Sequence, residues 1–187
     1  MATLRLLACV LLLGASVLAQ STSKYGVGHT PSAEEIRAWD ISIGPTGEEL
    51  PPGHGTAKEG AQLFKEKGCS VCHGATATGG PAPPLKADKG PGVDTWERGR
   101  ILPVRAPFAT IVWDYINRGM SLNKEGTLKA DEVYALTAFL LSINGVIPED
   151  QVLDEQSLPK VKMPIGDAFA SLPDWKPRTR RLRGYPY

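Results

Sequence analysis

The stretch Cys69-Ser70-Val71-Cys72-His73 decides how the rest of the chain is read. On a helical turn, residues three apart face the same way, so both thiols can reach one flat ligand from the same side. His73 follows directly, where its imidazole can swing beneath that ligand's centre. Cys-x-x-Cys-His is the spacing at which two thiols add to the two vinyl groups of a haem and leave one axial nitrogen for the iron. A structural zinc site would need four ligands, usually paired Cys and His at short spacings. The only other cysteine is Cys9, and His29 and His54 lie far apart. A thioredoxin-like dithiol would want a βαβ setting, and no run shows convincing strand alternation. One covalently bound haem c on Cys69, Cys72 and His73 is the expectation.

The chain has 187 residues, about one domain with room for extensions. It opens with a secretory pattern: Arg5 as the positive segment, an apolar run from Leu6 through Leu18, and Val17-Leu18-Ala19 as a small-residue cleavage site. Cleavage after Ala19 would remove Cys9 and send the chain to the periplasm, where c-type haem is attached. A retained anchor or a lipid on Cys9 is the alternative. A membrane span needs about 20 apolar residues, and no stretch of the mature chain reaches that length. With Cys69 and Cys72 consumed by haem, no thiol remains for a disulfide or for a thiolate-ligated catalytic iron.

Charge is balanced overall, with 21 Lys+Arg against 20 Asp+Glu. Lys176, Arg178, Arg180, Arg181 and Arg183 concentrate positive charge at the end, so the body before them is acidic. A short basic tail is commonly a solvated end, with docking on an anionic surface as the alternative. A nucleic-acid role would need a larger basic face.

Four helices are expected. A short one runs over 31–39, opened by Thr30. The next starts at Thr56, whose hydroxyl and Glu59 form a capping box, and places Ala57, Gly60, Ala61 and Phe64 on one face. Another carries Pro107 in its first turn, stacks Phe108, Ile111, Val112 and Tyr115, and stops at Gly119. The last spans about 130–144, with Val133, Leu136, Thr137 and Leu140 inward, Gly145 as its C-terminal cap and Pro148 forbidding continuation. The segments 20–55 and 148–187 read as extended arms around a haem domain at 56–147, and 74–107 as irregular. The fold class is all-α.

A second axial ligand would come from Met120, Met163, His29 or His54, with an open site as the remaining alternative. Met120 sits in the loop between the last two helices, downstream of the haem motif, and is the best placed. Met163 reads as surface packing in a Pro-rich tail, and the two histidines as loop residues beside glycine. A His/Met pair leaves no iron position for oxygen or substrate and favours outer-sphere electron transfer.

Gly60 and Phe64 before the motif, Pro83-Pro84-Leu85 after it, a loop methionine, and a final helix with Leu136 and Phe139 resemble a class I c-type cytochrome. The resemblance implies three or four helices around one haem, with Gly60 and Phe64 crossing the last helix at Phe139. It also implies a proline carbonyl that orients the haem histidine, from Pro83 or, one residue on, Pro84, with Leu85 beside the haem.

A narrower resemblance takes in Thr30 to Ile41, Leu50-Pro51-Pro52-Gly53, Trp113 to Met120, Asp131 to Phe139 and Leu158 to Pro164. These stretches are similar to the cytochrome subunits of periplasmic sulfite dehydrogenase and Sox-type sulfane dehydrogenase. What this implies is a monohaem subunit that takes electrons from a molybdenum-cofactor dehydrogenase and passes them to a downstream cytochrome or oxidase. Ser121 departs from the proline that often follows the ligand methionine in that group. A freestanding electron carrier, its arms wrapped on its own haem domain, is the competing reading.

Overall fold

The computed structural model describes residues 27–166. The leader, its cleavage site and the Arg-rich ending lie outside the described residues. The chain divides at Ile41/Ser42 into two units.

In the first unit one helix, α1, spans Ala33–Trp39. Its cap is Ser32 rather than Thr30, for a local reason. The Ser32 hydroxyl accepts from the Glu35 N–H (3.2 Å) while the Glu35 carboxylate accepts from the Ser32 N–H (2.7 Å). Thr30 has Ala33 three residues on and could form no such reciprocal pair.

The second unit holds α2 (Ala57–Glu66), α3 (Cys69–His73), α4 (Leu102–Arg105), α5 (Ala109–Gly119) and α6 (Ala130–Ser142). The expected capping box opens α2: the Thr56 N–H donates to Glu59 at 2.8 Å, and the Glu59 N–H donates to the Thr56 hydroxyl at 3.3 Å. Phe108, extended, caps α5, so Pro107 stands just before the helix rather than in its first turn. Ala106, preceding the proline, is held extended as that ring demands. The stretch expected to be irregular is interrupted by α4 and by a single 3-10 turn at Thr95–Glu97. At the end of α6, Gly145 turns back with φ +68°, a conformation that suits glycine.

The central packing is α2 across α6. A Cβ on Gly60 would run into the Ala135 carbonyl, so the two backbones touch there. One turn on, Phe64 meets Phe139 with ring centroids 5.3 Å apart, a tilted contact of the kind aromatic pairs prefer. Lys67 closes the crossing with an ion pair to Glu132 at 2.7 Å, and that ammonium holds the Glu132 carboxyl below its usual range. The pair therefore adds stability above the ordinary glutamate range and loses it as pH falls. Val133, Leu136, Thr137 and Leu140 are buried as expected, and Tyr134, Ala135, Ala138 and Leu141 are too. The last helix is enclosed nearly all round because other segments cover its second face.

Those segments come from the two extensions. His54–Gly55 (β1) pairs antiparallel with Leu153–Asp154 (β2), a two-residue ladder that sequence alternation could not reveal. Leu50 on one side and Leu153, Leu158, Met163 and Ile165 on the other join the same hydrophobic core. Met163, 6 % exposed, is thus a core residue rather than surface packing. No helix among the described residues is long and apolar enough to cross a membrane.

The Gly60 contact yields a direct test. Gly60→Ala forces α2 and α6 apart and is expected to cost about 1–3 kcal/mol, read as a drop in the thermal unfolding midpoint of the haem-loaded protein.

Candidate haem-attachment site

Gly68, with φ +78°, breaks the chain between α2 and α3 so that the five-residue α3 starts in a new direction. Cys69 is half-buried and Cys72 exposed, and both thiols are free. Burial pushes the Cys69 thiol above its usual pKa. His73 ends α3 and is buried.

The chain then folds back beneath His73. Gly74 (φ +84°) and Gly80 sit where a Cβ would strike the Thr78 and Cys72 carbonyls. The Ala82 N–H donates to the Cys72 carbonyl at 2.9 Å, and the Leu85 N–H to the Ala77 carbonyl at 2.8 Å. This return places the Pro83 carbonyl 2.8 Å from His73 Nδ1. A carbonyl only accepts, so Nδ1 carries the proton and Nε2 keeps its lone pair for a metal. Of the two prolines, Pro83 is the one that does this. Leu85 is half-buried against the core.

Met120 caps the C-terminal end of α5, half-buried, its N–H still bonded to the Ile116 carbonyl at 3.1 Å. Of its competitors, Met163 is packed in the core. His54 and His29 are exposed beside Asp131 (4.0 Å) and Glu35 (3.1 Å). The residues present fit a haem c: two free thiols three residues apart, an imidazole with its distal nitrogen unspent, and one thioether engaged in neither the deep core nor an ion pair.

The cytochrome c family model matches residues 57–144. A chain in the crystal structure of the sulfane dehydrogenase SoxCD from Paracoccus pantotrophus is 33 % identical. That match covers 79 % of this chain and 72 % of that one, with a TM-score of 0.65. The chain belongs to the cytochrome c family. Its mostly helical fold is that of a class I cytochrome c, and membership implies a covalently bound haem c and an electron-transfer role. Comparison with curated proteins finds no match.

Several residues that hold the cytochrome's site together were not evident from sequence. Asn144, just past α6, is 3 % exposed. Its Nδ2 donates to the Leu85 and Leu140 carbonyls, both at 2.8 Å, and its Oδ1 accepts from the Ala87 N–H at 2.9 Å. Arg98, also buried, donates to the Asn144 carbonyl at 2.6 Å and the Lys89 carbonyl at 3.2 Å. Together they staple the segment after Pro83 to the end of α6. An Asn one residue before a helix-ending glycine reads as a cap, and nothing in its spacing points to Leu85.

Asn144→Ala would leave part-buried backbone groups of Leu85 and Ala87 without their partner. At about 1–3 kcal/mol for such a group, the variant is expected to lose about 2–4 kcal/mol in denaturant unfolding of the haem-loaded cytochrome.

Proposed function

We propose that this cytochrome is the single-haem subunit of a periplasmic dehydrogenase oxidising a sulfur compound, and that it takes electrons from a molybdenum-cofactor partner. The observation that carries the partner is the breadth of the likeness to the SoxCD chain. It covers 79 % of this chain, whereas the family model takes in only 57–144. The likeness thus extends past what a haem alone demands.

In this reading Cys69 and Cys72 would hold the haem by thioethers, and His73 Nε2 and Met120 would be its iron ligands. The haem iron supplies reversible one-electron chemistry; the protein supplies ligand orientation and a dry pocket. Pro83 fixes the His73 tautomer and raises the basicity of Nε2 through the Nδ1–H bond. Leu85 and the core beneath it exclude water from the proximal side. Arg105 keeps a buried Nε–H with no hydrogen-bond partner among the described residues, which would be free to hold a carboxylate of the haem. Ligation by His73 and Met120 together would suit the haem to passing electrons.

Electrons would leave for a downstream cytochrome or oxidase, and the leader cleaved after Ala19 would deliver the chain to the compartment where these partners meet. Met120→Ala is expected to abolish the weak far-red charge-transfer absorption of ferric His/Met haem and to lower the midpoint potential. Met163→Ala should leave both intact while costing about 2–4 kcal/mol of stability as a core truncation. The reverse result reassigns the ligand. For the partner, the native, untagged protein from its source should co-elute on size exclusion with a larger molybdenum-containing chain. A lone monomer at physiological salt contradicts the subunit reading and leaves a freestanding carrier.

A further inference from the structure

We propose that Asp114 is a positioning residue for the distal ligand and that the segment 42–51 is its strap, an inference that rests on Met120 being that ligand. Asp114 lies within α5, six residues before Met120, and is only 8 % exposed. Its Oδ1 accepts from the Ile43 backbone N–H at 3.0 Å and from Arg118 Nε at 2.8 Å, and its Oδ2 from a terminal nitrogen of Arg118. A buried carboxylate is tolerated only when its oxygens are so satisfied. An ordinary exposed i,i+4 pair is worth a few tenths of a kcal/mol. This one differs because its acceptor is buried and also captures a backbone donor 71 residues away.

The consequence follows from where the strap goes next. Past Ile43 it buries Leu50, and the Pro51 carbonyl accepts from the Tyr134 hydroxyl at 2.9 Å. Asp114 belongs to α5 and Tyr134 to α6, the two helices joined by the loop from Met120 to Lys129. One strap therefore ties together the helices at both ends of the ligand loop. Arg118 adds the last link, since it sits in the final turn of α5, two residues before Met120. Opening the loop by moving either helix would break the Asp114–Ile43 or the Tyr134–Pro51 hydrogen bond to the strap. The strap holds the loop in its ligating position, and the open fraction sets how well an external ligand can compete.

The test uses the full-length ferric haem protein titrated with imidazole, together with its far-red absorption and midpoint potential. Asp114→Ala is expected to raise the apparent imidazole affinity about tenfold, weaken the far-red band and lower the potential. Tyr134→Phe removes only the strap's other anchor and should shift the same readouts less. Asp114→Asn keeps an acceptor for the Ile43 N–H and should recover part of the wild-type behaviour. A merely structural role would lower the unfolding midpoint and leave the imidazole affinity of the folded protein unchanged. If Met120→Ala leaves the band intact, the ligand reading fails. If Met120→Ala abolishes the band while Asp114→Ala and Tyr134→Phe stay within about twofold of wild type for imidazole, the strap inference fails. Should Asp114→Ala not fold, Asp114→Asn and Tyr134→Phe carry the same comparison.

Discussion

The missing side chain at Gly60 is the constraint on which the rest of the second unit depends. Because nothing stands between that α-carbon and the Ala135 carbonyl, α2 and α6 pack backbone to backbone. The Cys-x-x-Cys-His motif begins three residues after α2 ends, and the loop that carries Met120 leads directly into α6. Fixing one helix against the other therefore fixes where α3 starts and where the Met120 loop ends. The Phe64–Phe139 contact and the Lys67–Glu132 pair join the same two helices beside the close approach. Glycine at a helix centre costs about 1 kcal/mol in propensity, a cost offset here by the packing it permits.

The parts of the site legible in the sequence were those with local rules. Two cysteines and a histidine on one turn, a capping box at Thr56, and a glycine after the last helix each depend on spacing within a few residues. The Pro83 register was open because two prolines adjoin, and only the return of the chain through Gly74 and Gly80 brings one carbonyl under Nδ1. Asn144, Arg98, Asp114 and Tyr134 were not legible as site residues at all. Each has a partner 46 to 83 residues away in the chain, and no periodicity records contacts at that range. The same holds for the β1–β2 ladder, where two residues per strand are too few to show alternation.

The His73 turn and the Met120 loop are supported by the same kind of device. On the side of His73, Asn144 and Arg98 bind the backbone that follows Pro83 to the end of α6. On the side of Met120, Asp114 and Tyr134 bind the strap across α5 and α6. In both, a buried polar side chain seizes backbone groups from a segment with no secondary structure of its own. A hydrophobic contact could bury the same area, but it is non-directional and would let a loop slide. Hydrogen bonds to named carbonyls and N–H groups fix register, and ligand register is what an electron-transfer haem needs, since each electron must arrive and leave without the ligands rearranging.

This changes what the extensions say about a partner. Long unstructured arms would argue for a second chain, because such segments cannot bury enough surface to order themselves. Here 42–55 and 148–166 are ordered by the haem domain itself, through Asp114, Tyr134, the β1–β2 ladder and the buried Leu153, Leu158, Met163 and Ile165. The length of these two segments is accounted for within the chain. The case for a partner rests instead on the breadth of the likeness to SoxCD, which takes in residues beyond the haem domain.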